Sequence, residues 1–295
     1  MSASSPAAEG LPQRAARRQL RGRTQLRRLA AYAALTVAAV ILLLPFVWML
    51  SLSLKTPEQI GQYPPRLIPN PLTFANYPEA LLRQQPFPLY LRNTVIIAAA
   101  VIVGDILSAS FVAYGFARLR FPGREWLFTL LLSTMMVPLI VKLVPLFVLF
   151  KQLGWLNTFL PLVVPAFLGT PFFIFLMRQF YLTIPNELNE AARIDGANEL
   201  AIWWRIYLPL SKPALATVAI LAFQGVWNDF LGPLVFLQRQ EVKTVTLGLY
   251  SLLGMFLEYH TVTAGAVAVI LPMVLVFLFF QRYFVQGIAV SGLKG

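Results

Sequence analysis

The chain has 295 residues, 58% hydrophobic and 12% charged; ordinary soluble domains carry roughly 25% charged residues, so bulk disorder is excluded and a soluble globular domain is disfavoured. It has no cysteine and a single histidine, His260, which removes disulfides, thiolate metal sites, a cysteine nucleophile and a histidine metal cluster from consideration. A net charge of +12 would suit nucleic acid, but seven basic residues crowd into positions 14–28 beside a long apolar run, which reads as an orientation signal or an anionic-lipid contact and not as a nucleic-acid site.

Residues 1–28 are expected to form a disordered, basic tail. The next stretch, 29–54, runs 26 positions without a charge, more than the ~20 apolar residues that carry a helix across a bilayer. It is too long for a signal peptide, and Pro45 and Trp48 stand where a cleavage site belongs. It is therefore the first expected span. Residues 55–92 form a proline-rich outer loop, and 94–117 make the second span, with Asp105 inside it.

The third span is placed at 122–141. A lysine at mid-membrane costs at least about 2.5–3.5 kcal/mol, so the helix is ended before Lys142, and 143–155 becomes an interfacial segment. The fourth span, 158–177, is interrupted by Pro161, Pro165 and Pro171. The fifth, 213–237, contains Asp229, and the sixth covers 261–281. Long continuous apolar runs exclude a β-barrel, whose strands alternate. The expected fold is an all-α integral membrane domain of six transmembrane helices over residues 29–295. Placing the N-terminus inside puts 16 of the 24 basic residues on the inner side, which makes both termini cytoplasmic.

Between spans four and five lies the loop 182–212, the most informative stretch. Glu187, Glu190 and Asp195 fall within nine residues of it. Pro185 suits the first turn of a helix, the two glutamates suit its positive end, and Gly196 suits the left-handed residue that ends one. A short cytoplasmic helix follows, with Ala191 and Ala192 giving it a low profile for a partner's groove. A plain connecting loop that happens to be helical fits the same residues equally well. A second amphipathic stretch carries Trp203, Trp204 and Tyr207 at the interface.

Glu190-Ala191-Ala192, then Gly196, then Ile206, Leu208 and Pro209 resemble the EAA signature of importer-type ABC permeases, with all seven residues in place over twenty positions. Residues 53–58, 113–124, 227–230 and 281–287 are similar to the maltose-type carbohydrate branch of that family, and the likeness covers about 30–295. It implies the type I ABC importer permease fold. Glu190, Ala191, Ala192, Asp195 and Gly196 would form a coupling helix docked on a dimeric cytoplasmic ATPase. A second homologous permease chain would complete the pathway, and an external solute-binding protein would deliver the sugar to the outer loops. The membrane would be the bacterial cell (inner) membrane. The chain has no Gly-x-x-x-x-Gly-Lys-Ser/Thr phosphate loop, so it binds no cofactor itself, and ATP with its magnesium belongs to the ATPase.

Polar residues within spans are candidates for the substrate path. Gln224, Trp227, Asn228 and Asp229 combine amides, a carboxylate and an aromatic face, the groups that hold sugars; helix-to-helix polar packing explains them equally well. Asp105 is read as structural. The competing function is a stand-alone secondary transporter driven by an ion gradient, which intramembrane acids and inverted repeats would favour; no repeat is visible. Nothing in the residue types arranges into an enzyme's acid–base or nucleophile set.

Overall fold

The computed structural model describes residues 11–255 and 258–292. Among these every regular element is helical. α1 is Leu11–Ser53. Its first residues belong to the segment expected to be disordered; residues 11–28 are rich in Arg, Ala, Leu and Gln, good helix formers, Pro12 falls in the first turn, where it costs no internal hydrogen bond, and the helix runs on unbroken through Gly22. The remainder of that expectation, residues 1–10, lies outside the described residues.

α2 is Phe87–Arg118 and stands at the centre of the bundle. Pro88 at its first turn costs it no internal hydrogen bond, and at Leu119 the chain turns extended. The third expected span is corrected. Instead of one helix over 122–141, α3 (Arg124–Ser133) and α4 (Leu139–Gln152) meet at a 96° bend. The cause is Pro138, which lacks an amide hydrogen and forces Val137 out of the helical region, to φ −80° and ψ 114°. Lys142 then sits exposed in the first turn of α4, and the supposed interfacial segment is the body of that helix.

The fourth span continues to Leu182 as α5 (Leu160–Phe167) and α6 (Pro171–Leu182). Past it lie α7 (Glu187–Ile194) and α8 (Glu199–Leu210). α8 bends by 79° into α9 (Lys212–Asn228). The fifth span is also corrected: its helix stops at Asn228, and α10 (Leu231–Phe236) starts after a break at Asp229. Residues 238–260, between the fifth and sixth expected spans, contain α11 (Val245–Met255), and α12 is Tyr259–Gly292. Among the described residues four helices are long and apolar enough to cross a membrane, or up to six if each bent pair is one span.

The core gathers on α2. Tyr114, Met177, Tyr181, Tyr207 and Val218, from α2, α6, α8 and α9, are all buried. A Cβ on Gly104 would come within 2.7 Å of the Phe167 ring, so α2 and α5 approach as closely as a missing side chain permits. A smaller cluster of Phe87, Tyr90, Trp227, Val245 and Leu252 closes the opposite end.

Candidate functional site

The eight residues of α7 form a helix whose two ends are both accounted for. Glu187 and Glu190 occupy the first turn and Arg193 the last, each complementing the helix dipole. Gly196, at φ +81°, ends it. The Gly196 amide donates to the Arg193 carbonyl at 3.0 Å and the Ala197 amide to the Ala192 carbonyl at 2.9 Å. This reciprocal pair is the Schellman closure, and it requires a residue that tolerates positive φ.

The helix has an inner and an outer face. Asn189 and Ala192, three residues apart, are buried, with Ala192 packed into the main core at 8% exposure. Glu187, Leu188, Glu190, Ala191, Arg193, Ile194, Asp195 and Gly196 are exposed. Of the sequence-derived set, Glu190, Ala191, Asp195 and Gly196 therefore lie on the free surface, and Ala192 does not. The low profile expected of both alanines belongs to Ala191 alone; Ala192 is small because the bundle lies against it. Two apolar residues that sequence reasoning passed over, Leu188 at 43% and Ile194 at 86% exposure, stand out beside Ala191. Together with Ala191 they give the outer face of α7 an apolar strip among its charges.

Polar groups from four helices fix α7 to the bundle. The Tyr114 hydroxyl donates to Glu199 Oε2 at 2.6 Å and lies 3.3 Å from Asn189 Oδ1. Glu199 Oε1 accepts from Arg193 Nε at 2.8 Å. One turn beyond Tyr114, Arg118 donates to Asn186 Oδ1 and to the carbonyls of Tyr181 and Ile184, while its guanidinium lies over the Tyr207 ring. Asn198 caps α8, its Oδ1 accepting from the Ala201 amide at 2.8 Å. Thus the end of α2, the end of α6, all of α7 and the start of α8 are one hydrogen-bonded unit. The signal available in sequence was Tyr114 and Arg118, four apart and hence on one face of a helix end.

The second constellation lies at the far end of α9. Trp227 is 3% exposed and donates Nε1–H to the Val269 carbonyl on α12 at 3.0 Å. It is a packing residue between two helices, which separates it from the expected path residues. Gln224 and Asn228, one turn apart, are both exposed, and Asn228 Nδ2 donates to the Gln224 carbonyl at 2.9 Å. Asp229 sits in the break, where its Oδ1 accepts from the Gly232 amide at 3.1 Å and caps α10. A Cβ on Gly232 would fall 2.5 Å from Asp229 Oδ2, so the turn closes only with glycine there. Asp105 on α2, at 3% exposure, accepts from the Thr170 hydroxyl at 2.6 Å, fastening α2 to the start of α6. Among the described residues no three His, Asp or Glu side chains gather closely enough to hold a metal ion.

Comparison with known proteins gives the following. The family profile described as binding-protein-dependent transport system inner membrane component matches residues 105–290. The chain is 39% identical over 228 residues to the arabinooligosaccharides transport system permease protein AraQ of Halalkalibacterium halodurans, covering 77% of this chain and 81% of that protein. It is 35% identical over 270 residues to the lactose transport system permease protein LacG of Rhizobium radiobacter, covering 90% and 96%. A chain from the crystal structure of a bacterial ABC transporter involved in the import of the acidic polysaccharide alginate superposes with a TM-score of 0.77 at 26% identity, over 88% of this chain and 97% of that one.

Proposed function

The chain belongs to the binding-protein-dependent transport-system inner-membrane components, and on that premise we propose that it is the membrane-spanning permease of an ATP-driven sugar importer. The observation that carries the reading is α7, a short capped helix whose Leu188, Ala191 and Ile194 stand free while its other face is hydrogen-bonded into the bundle. A dimeric cytoplasmic ATPase grips this surface. Its closure on ATP and magnesium moves α7, and the Tyr114 and Arg118 links carry that motion into α2 and α6. Rigid-body movement of packed helices about a central path is how such bundles alternate access.

The remaining partners follow from the same reading. A second, homologous permease chain covers the exposed face of α9 that carries Gln224 and Asn228. An external binding protein docks on the outer loops within 55–92 and 238–260 and delivers the sugar. Similarity to permeases of arabinooligosaccharide and lactose systems supports a neutral sugar as cargo. The protein resides in the bacterial cell membrane with both termini inside, as the basic residues of 14–28 favour.

The test is transport by vesicles reconstituted with this chain, its partner permease, the ATPase and the binding protein, using radiolabelled lactose, maltose and arabinooligosaccharides. ATP-dependent uptake of one of them is expected. Uptake driven by an ion gradient with the ATPase omitted would reject the importer reading in favour of secondary transport.

A further inference from the structure

Behind the break at Asp229 is a cavity of about 110 Å³. Val101 of α2, Leu162 of α5 and Pro233 of α10 form its apolar walls, and Asp229 and Thr244 supply its polar ones. Gly225 lies at its rim, exposed, and a Cβ placed there would meet nothing within 4 Å. On this measure a single water needs roughly 10–15 Å³, so the space holds a group several times larger.

Thr244 is the unexpected member. It is 2% exposed, and its hydroxyl makes no hydrogen bond to any described residue. It precedes α11, where a threonine hydroxyl ordinarily caps the helix. Here the Val245 amide is taken instead by Thr94 Oγ1 at 3.0 Å, and Thr244 contributes its carbonyl to Gly248 N at 2.8 Å. The hydroxyl is left over, on a residue that lines the cavity. A buried, unpaired hydroxyl destabilises a fold, and valine would fill the same space without that cost. Asp229 also has capacity to spare: the Gly232 amide occupies one site on Oδ1 and the Leu231 amide also interacts with the carboxylate, whereas a carboxylate offers about four sites.

Resting on the importer reading above, we propose that this cavity is a subsite for one hydroxyl-bearing ring edge of the transported sugar, with Asp229 accepting from a sugar hydroxyl and Thr244 paired with a second. The chemistry of the lining favours this ligand. A bound sodium or calcium ion needs about six oxygen ligands, and the side chains lining the cavity provide oxygens from two residues. A sugar edge needs few polar partners and apolar walls for its C–H face, which Val101, Leu162 and Pro233 provide. The volume, several waters' worth on the same measure, is of the order of one sugar unit, so a longer chain would present a single unit. With α9 running from the inner to the outer side, Asp229 lies toward the outer mouth, where a binding protein delivers its cargo.

The reconstituted complex tests this through sugar imported per ATP hydrolysed. Thr244→Val and Asp229→Asn are each expected to lower that ratio about tenfold, the loss of one well-made hydrogen bond in the path. Thr244→Ser, which keeps the hydroxyl, should restore it. Gly225→Leu should close the rim and lower the ratio at least as far. The Thr244→Val complex should also withstand heating as well as the unaltered one or better, because an orphan hydroxyl has been removed. An unchanged ratio in Thr244→Val and Gly225→Leu would show that the cavity holds water only and overturn the proposal. So would an equal loss in Thr244→Ser, which would mark a packing role. Failure of the unaltered complex to import any sugar with ATP would instead overturn the importer reading itself.

Discussion

The Tyr114 hydroxyl reaches Glu199 Oε2 at 2.6 Å, joining the last turns of α2 to the first residue of α8. Glu199 is simultaneously held by Arg193 of α7. The carboxylate is thus the common point through which a long central helix feels the position of a short exposed one. The two residues are 85 apart in the chain, and no periodicity brings them together. Hydrogen bonds to a charged acceptor contribute about 1.5–3 kcal/mol. Tyr114→Phe should therefore leave the bundle folded but loosen α7. The expected result is a several-fold fall in sugar imported per ATP while the ATPase still co-purifies; coupling equal to that of the unaltered complex would remove Tyr114 from the path of force.

Gly196 offers a sharper case, because space and backbone can be separated. A Cβ at this position would meet nothing within 4 Å, yet φ is +81°. A non-glycine residue pays roughly 1–2 kcal/mol to stay left-handed. Gly196→Ala should weaken ATPase binding moderately, and Gly196→Val should abolish it by unwinding the closure at Arg193 and Ala197. Both variants should keep the melting behaviour of the bundle, since α7 lies at its surface. Pull-down of the ATPase by the detergent-solubilised complex distinguishes the two.

Neighbouring alanines should behave in opposite ways. Ala191 is exposed, and Ala192 is 8% exposed against the core. Ala192→Leu forces extra methyl groups into a packed site, at typically 1–3 kcal/mol, and should reduce yield and thermal stability. Ala191→Leu should fold normally but bind the ATPase less well, because it fills the groove side of the helix. Equal thermal stability of the two variants would contradict the inward orientation of Ala192.

These contrasts show where sequence reasoning reached and where it stopped. The spans were legible because apolar runs of this length have few alternatives, and α7 was legible because proline, acids and glycine mark its ends. The bend at Pro138 was misjudged because the cost of a mid-membrane lysine was used to end a helix that the proline had already ended. Asp229 was placed inside a span although Gly232 and Pro233 follow it, a breaker pair within an apolar run. In the site itself, Glu190, Asp195 and Gly196 could be read from chain chemistry. The inward turn of Ala192, the burial of Trp227, and the roles of Leu188, Ile194 and Thr244 depend on which neighbour each face meets, and that is tertiary information.

Trp227 allows the packing and transport roles at the end of α9 to be told apart. Its Nε1–H bonds the Val269 carbonyl at 3.0 Å, and its ring lies 5.2 Å from that of Phe223. Trp227→Phe removes the donor and part of the ring. The lost hydrogen bond is worth about 1 kcal/mol, and the void left by the smaller ring adds to it. Since the Asn228 and Gln224 side chains project from the exposed face of the same helix and Trp227 does not, the substitution should lower the temperature at which the solubilised complex aggregates while sparing the amount of sugar moved per ATP. A loss of that ratio at unchanged thermal stability would mean that the indole touches the cargo, and α9 would then have to rotate in the transport cycle far enough to bring its buried side to the path.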